Sequence, residues 1–235
     1  MIKLSERSYK KELLDADNIP FADIRQNMKE LNTVNTLLGG HAITIAGVKE
    51  FIKKNCPENN ISICEIGCGG GDNLFAISNW CKKNNTNVSF TGIDIKKECI
   101  ESATQQYPSL NVNWITSDYT LVDLTANKPT LIFSSLFCHH FTETELVNMI
   151  GWMKQNSHKG FFINDLQRHP LAYYSIKLLT SLFSKSYLVI NDAPLSVARG
   201  FKKKEWKNIF ASAGITEYSI KWKWAFRYLI VCKHG

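Results

Sequence analysis

The segment Ile61-Ser-Ile-Cys-Glu-Ile-Gly-Cys-Gly-Gly-Gly-Asp72 decides the fold. Its first six residues form a short apolar run of strand length. A glycine turn then opens a helix, the junction where open parallel sheets bind nucleotides. Glycine is needed there because the chain must turn sharply and let a ligand approach with no Cβ in the way. A dinucleotide site expects Gly-x-Gly-x-x-Gly. Counted from Gly67 and Gly69, the third glycine falls on Asp72; counted from Gly69 and Gly71, it falls on Leu74. An aspartate at the helix start also repels a pyrophosphate and competes for the same N–H groups. No Gly-Lys-Ser/Thr follows, which excludes a phosphate-cradling loop. The turn therefore suits a nucleoside without phosphates. Glu65, just before it, suits a ligand that also carries an ammonium group.

Two further acids follow at strand ends. Asp94 closes Phe90-Thr-Gly-Ile-Asp-Ile95, where a carboxylate can accept from both ribose hydroxyls. Asp118 lies in Thr116-Ser-Asp-Tyr119, where it can meet an adenine amino group while Tyr119 covers the ring. Glu65-x-Gly67-x-Gly69-x-Gly71, then Asp94, then Asp118, resembles the ordered motif set of class I S-adenosylmethionine-dependent methyltransferases. The resemblance runs from about residue 60 to the carboxyl end. It implies that Glu65, Gly67, Gly69 and Gly71 line the methionine part, that Asp94 holds the ribose and that Asp118 meets adenine. Ile95, Tyr119 and Ser135 complete the expected cofactor site. The implied cofactor is S-adenosylmethionine, leaving as S-adenosylhomocysteine, with no metal.

Working outward, short apolar runs alternate with amphipathic stretches after residue 60. Strands are expected at Ile61–Ile66, Val88–Ile93, Val112–Thr116, Leu131–Ser135 and Gly160–Asn164, with helices near Asp72–Lys83, Lys97–Tyr107 and Glu143–Gln155. Thr142 and Glu145 have capping-box spacing. Strands joined by crossover helices imply a parallel sheet covered on both faces. Thr216–Trp224 and Phe226–Lys233 read as a closing hairpin at the sheet edge. The expectation is a Rossmann-like, doubly wound α/β fold with seven strands, mostly parallel, and an antiparallel carboxy-terminal hairpin. Helices at Phe21–Leu38 and His41–Lys54 make residues 1–59 a helical cap, closed by Pro57 and Asn59-Asn60, while the first 20 residues read as polar and loosely held. Residues 60–235 form the methyltransferase domain, with a lid inserted at about 170–200. There, Leu171–Phe183 is a strongly apolar helix and Asn191–Arg199 a polar stretch before a helix over Phe201–Ser212.

Composition sets the outer bounds. The chain has 235 residues, 44% hydrophobic and 21% charged, enough for one large core and inconsistent with wholesale disorder. Seven scattered cysteines include no Cys-x-x-Cys pair, so a zinc ribbon is not expected. With no signal-peptide pattern and no long apolar run, the expected location is the cytoplasm. The formal charge of +7 raises the question of anionic partners.

The loop after the fourth strand, Ser134-Ser-Leu-Phe-Cys-His-His-Phe141, faces the transferred methyl in the family it resembles. The acidic-or-Asn, Pro-Pro, aromatic motif usual in nucleic-acid amino-methyltransferases is absent there, which argues against a nucleic-acid partner. A small acceptor, aromatic or lipid-like, fits the apolar helix and the cap better, and the chain is similar to bacterial polyketide- and quinone-pathway methyltransferases. RNA or protein methylation and cofactor binding without catalysis are the alternatives. A phenolic acceptor requires a neutral base, and His140, His139 and His41 are the candidates in that order, with Asp165 and Asp192 behind them. Lys202–Lys204 with Lys207 suggest peripheral contact with an anionic membrane. Monomer and homodimer both remain open.

Overall fold

A computed structural model describes residues 3–52 and 61–234 of the chain. Seven strands, β1 (Ile61–Ile66), β2 (Val88–Asp94), β3 (Val112–Thr116), β4 (Leu131–Ser135), β5 (Gly160–Leu166), β6 (Ser219–Lys223) and β7 (Arg227–Lys233), form one sheet. The order is β3-β2-β1-β4-β5-β7-β6. Strands β1 to β5 are mutually parallel, while β7 runs antiparallel to both β5 and β6. The strand order reverses between β1 and β4, so the crevice at their carboxyl ends is the natural ligand site. This is the Rossmann-like fold expected from the sequence.

The central strands bury both faces. On one face Ile66, Ile132 and Ile163 pack with Leu146, Met149 and Met153 of α5 (Glu143–Asn156) and with Trp206 and Phe210 of α8 (Lys203–Ser212). On the other, Ile63, Phe133 and Phe162 meet α2 (Gly40–Lys49) and α3 (Asp72–Lys83), and the Phe133 and Phe162 rings stack at 4.9 Å. The Thr142–Glu145 capping box opens α5 as expected. Two further helices, α1 (Phe21–Leu37) and α4 (Lys97–Gln106), complete this half. Helix α2 ends at Lys49 with Glu50 as its C-cap, short of the expected end at Lys54; Pro57 and Asn59-Asn60 lie outside the described residues.

The structure departs from the sequence reading in two places. Residues read as loosely held are packed: Arg7 and Glu12 are buried, and Arg7 Nε donates to the Arg199 carbonyl at 2.8 Å. The polar stretch at Asn191–Arg199 is the second half of helix α7 (Tyr187–Arg199), capped by Ser186, which accepts from the Val189 N–H. Leu188, Val189, Leu195, Val197 and Ala198 give it a buried face that outweighs the interior Pro194. The same helix explains the packed amino-terminal segment. Both Asp192 carboxylate oxygens accept from that segment's main chain, Leu13 N at 2.8 Å and Leu14 N at 2.9 Å.

Candidate active site

The glycine turn is built as its residue types require. Gly67, Gly69 and Gly71 all hold positive φ, the region that favours glycine. At Gly67 a Cβ would strike the Phe137 ring, whereas at Gly69 the nearest atom is Met28 Sδ at 3.6 Å. Gly67 is thus fixed by packing and Gly69 faces open space. The Gly69 N–H donates to Asp94 Oδ2 at 2.8 Å, and the Lys96 N–H to Asp94 Oδ1 at 2.9 Å. Burial raises the Asp94 carboxyl above its ordinary value, and these two N–H groups work against that rise.

Glu65 is fully buried at the end of β1. Its Oε1 accepts from Asn73 Nδ2 at 2.9 Å, and its Oε2 has no hydrogen-bond partner. Burial, reinforced by the negative Asp72 and Asp94, pushes its carboxyl well above the usual range despite the Asn73 bond. His41 stands behind this pair rather than on the cavity wall. Its Nδ1 lies 3.0 Å from Asn73 Oδ1 and its Nε2 2.9 Å from Asn32 Oδ1. Asn73 was not singled out by the sequence, and no motif marks it; only its place in the first turn of α3 puts it beside Glu65.

Asp118 caps a 3-10 turn, its Oδ1 accepting from Thr120 N and Oγ1, and Tyr119 packs edge-on against Phe141 and Trp152. Ser135 Oγ accepts from Asn164 Nδ2 at 3.2 Å. Asp118, Tyr119, Ile95 and Ser135 all line the cavity that contains Glu65, Gly67, Gly69 and Asp94, but Gly71 does not. Gly71 instead closes against Trp114. The cavity measures about 730 Å³.

Two histidine–carboxylate pairs form another part of the same wall. His139 is buried, and its Nδ1–H donates to Asp165 Oδ1 at 2.9 Å. His140 is more exposed, and its Nδ1–H donates to Asp15 Oδ1 at 3.1 Å. Buried Glu12 lies beside both rings, 3.6 Å from His139 Nε2 and 3.8 Å from His140 Nε2. Burial raises the Asp15 carboxyl, but the hydrogen bond and charge of His140, the Glu12 N–H and Arg199 outweigh it, holding Asp15 at about 2. At Asp165, likewise, the charge and hydrogen bond of His139 overcome burial and hold the carboxyl low. Burial raises Glu12. Arg199 fixes the main chain of the pair, donating to the His139 carbonyl at 3.0 Å and the His140 carbonyl at 2.8 Å. Glu12 and Asp15 escaped the sequence reading because their segment looked unanchored, although Glu12-Leu-Leu-Asp15 has capping spacing. Asp192, a weaker base candidate, has both oxygens committed to the Leu13 and Leu14 N–H groups.

Arg227 was also missed. It is buried on the cavity wall with Nε and Nη1 unpartnered, and burial lowers its guanidinium to about 10. Read as a strand residue, it carried no signal.

The donor set fits S-adenosylmethionine. An ammonium group satisfies the unpartnered Glu65 Oε2, the open face of Gly69 admits the ligand, and Asp94 retains lone pairs for ribose hydroxyls. Sheet order, glycine turn and strand-end acids together are those expected of a class I S-adenosylmethionine-dependent methyltransferase. Residues 63–160, from β1 to the start of β5, match the methyltransferase domain family. That match covers under half of the chain, and with the site geometry it supports an S-adenosylmethionine-dependent methyltransferase. Among solved structures it is similar to the plantazolicin methyltransferase in complex with S-adenosylhomocysteine. Identity is 21% over 88% of this chain and 74% of that one, with a TM-score of 0.61. It is also similar to human N-acetylserotonin methyltransferase with S-adenosylmethionine, at 16% identity over 92% and 57% of the two chains, TM-score 0.62. A putative O-methyltransferase of Nostoc punctiforme gives 13% identity over 98% and 65%, TM-score 0.63. The chain thus spans less than two thirds of the last two. No curated protein matches it.

Proposed function

We propose that this protein methylates the hydroxyl of a small phenolic, quinone-like or lipid-like acceptor, with His140 as general base. The supporting observation is that two histidines, each paired with a carboxylate, share one cavity wall with Glu65 and Asp94. Glu65, Asp94 and Asp118 would hold S-adenosylmethionine, whose sulfonium would supply an electrophilic methyl group. In-line displacement demands mostly alignment and desolvation, which a largely apolar cavity favours. His140 Nε2 would take the proton of the phenolic oxygen that accepts the methyl group, with S-adenosylhomocysteine as the leaving product. Its Nδ1–H stays on Asp15, which fixes the tautomer and stabilises the imidazolium. His139, on Asp165, is the second candidate. His41 positions Asn73, and through it Glu65. Arg227 offers its unpartnered N–H groups to an oxygen of the acceptor. C-methylation of an activated ring carbon uses the same base and geometry.

Residues 1–59 act in this reading as a cap and residues 60–235 as the transferase domain, with the 170–200 segment as lid. The six described cysteines, all free thiols, support a cytoplasmic setting. Among the described residues, no helix is long and apolar enough to cross a membrane. The test is incubation of the purified protein with methyl-labelled S-adenosylmethionine and fractionated cell extract. Label is expected in a small aromatic product. Label in RNA or protein, or no S-adenosylhomocysteine released with any fraction, overturns the proposal.

A further inference from the structure

Helix α6 (Pro170–Phe183) is apolar, yet Thr180 is its one buried residue. Leu171, Tyr174, Leu178 and Leu182 are 59–65% exposed and recur at three- and four-residue steps, forming one stripe about 16 Å long. Phe183 beside it is 77% exposed. The stripe runs into the cavity, since Leu171 and Leu179 are both exposed and lining residues. Across the mouth, Trp222 and Trp224 are likewise exposed and lining. The β6–β7 turn is fastened to the start of α6: Trp222 Nε1 donates to Gln167 Oε1 at 2.8 Å, and the Phe226 ring stacks on His169 at 4.7 Å. One continuous apolar surface, carrying two tryptophans, therefore surrounds the opening.

We propose that this surface docks on an anionic lipid bilayer, from which a membrane-dissolved acceptor enters the cavity. Charge selects this occupant. No Asp or Glu occurs from residue 166 to 191 or from 218 to 235. Lys177 and Lys185 are exposed on or beside the stripe and, among the described residues, form no ion pair. Apolar side chains at the acyl boundary, tryptophans at the interface and lysines toward anionic headgroups are what a helix lying in the membrane plane presents. At 14 residues, about 21 Å, α6 is too short to span the roughly 30 Å hydrocarbon core, so it lies flat. A second copy fits less well, because an isologous contact would set these lysines against each other, and the one acid beside Lys185, Glu30, is already held by the Ser184 hydroxyl and the Lys185 and Ser186 N–H groups. The Lys202–Lys204 cluster expected to make the membrane contact does not line this opening. Docking is independent of the acceptor reading above; only the identity of what enters rests on it.

The test is co-sedimentation of the full chain with phosphatidylcholine vesicles, with and without phosphatidylglycerol. Binding is expected with the anionic vesicles and weakens with salt. Lys177→Ala/Lys185→Ala should lower partitioning by about fivefold per lysine. Leu182→Glu/Phe183→Glu, at two exposed positions off the cavity wall, should abolish it while leaving circular dichroism and S-adenosylmethionine affinity unchanged. Failure to sediment, or sedimentation indifferent to both double variants, overturns the proposal. So does a vesicle-free dimer in sedimentation velocity that Leu182→Glu/Phe183→Glu dissociates. Vesicle binding without methylation of any small molecule would refute the acceptor reading and leave docking intact.

Discussion

Asn73 Nδ2 donates to Glu65 Oε1 at 2.9 Å and leaves Glu65 Oε2 buried without a partner. Half of this carboxylate is held by the protein and half is left for a ligand. Because burial holds its pKa well above the ordinary carboxylate value, the ligand-free site retains its proton to higher pH. An ammonium ligand favours the ionised form, so binding should release a proton as pH falls toward that raised value. Calorimetry of S-adenosylmethionine binding in buffers of different ionisation enthalpy should show the release. Glu65→Gln should remove it and weaken binding. Equal proton release in Glu65→Gln would place the titrating group elsewhere.

Two neighbouring glycines should respond differently to alanine. Both sit at positive φ, where a Cβ costs about 1–2 kcal/mol. At Gly69 little else is in the way, so Gly69→Ala should lower the melting temperature by only a few degrees, roughly 2–4 °C per kcal/mol. Its larger effect should be on S-adenosylmethionine affinity. Gly67→Ala must also displace Phe137, so stability should fall further. Thermal scans and binding isotherms on the two variants check the contrast.

His140→Ala should reduce turnover by about 10²- to 10⁴-fold while S-adenosylmethionine binding is retained. Asp15→Asn, which keeps the size but not the charge, should lower kcat more than it raises the acceptor KM, and should shift the acidic limb of the pH–rate profile. His139→Ala and the double histidine variant complete the set. Full activity in all of them would remove the histidines from the mechanism.

The Asp15 pairing also predicts an acid-stability signature. Its folded-state pKa, about 2, lies below the unfolded value of roughly 3.9. The stabilisation is therefore fully present above pH ~4 and is lost as pH falls through about 2. Urea unfolding between these limits should fall less steeply with acid in Asp15→Asn than in the parent. An unchanged slope would mean that the His140–Asp15 contact does not persist in solution.

Much of this was legible because covalent pattern and geometry coincide. The glycine turn, the strand-end acids Asp94 and Asp118, and the strands from β1 to β5 each leave a local mark of period or residue type. The hairpin was legible too, though β6 starts three residues and ends one residue inside its expected range and β7 starts one residue late. What escaped depends on partners distant in sequence. Helix α7 was hidden because Asn191, Asp192 and Pro194 lower local helix preference, while the burial that stabilises it comes from the rest of the fold. Asp192 shows the same limit: its polar side chain suggested chemistry, and its oxygens instead hold a segment nearly 180 residues earlier. That fastening brings Glu12 and Asp15 to the histidines, and no spacing rule connects residue 12 with residue 139.

Helix α6 contributes one buried side chain, Thr180, to the packed interior. Substitutions at its exposed positions therefore carry little folding penalty, usually within about 0.5 kcal/mol. The amino-acid identities along this helix are free to drift, or to be redesigned, independently of the sheet. Cofactor chemistry stays locked in the rigid interior, while a change of habitat or cargo needs mutation of one replaceable external part.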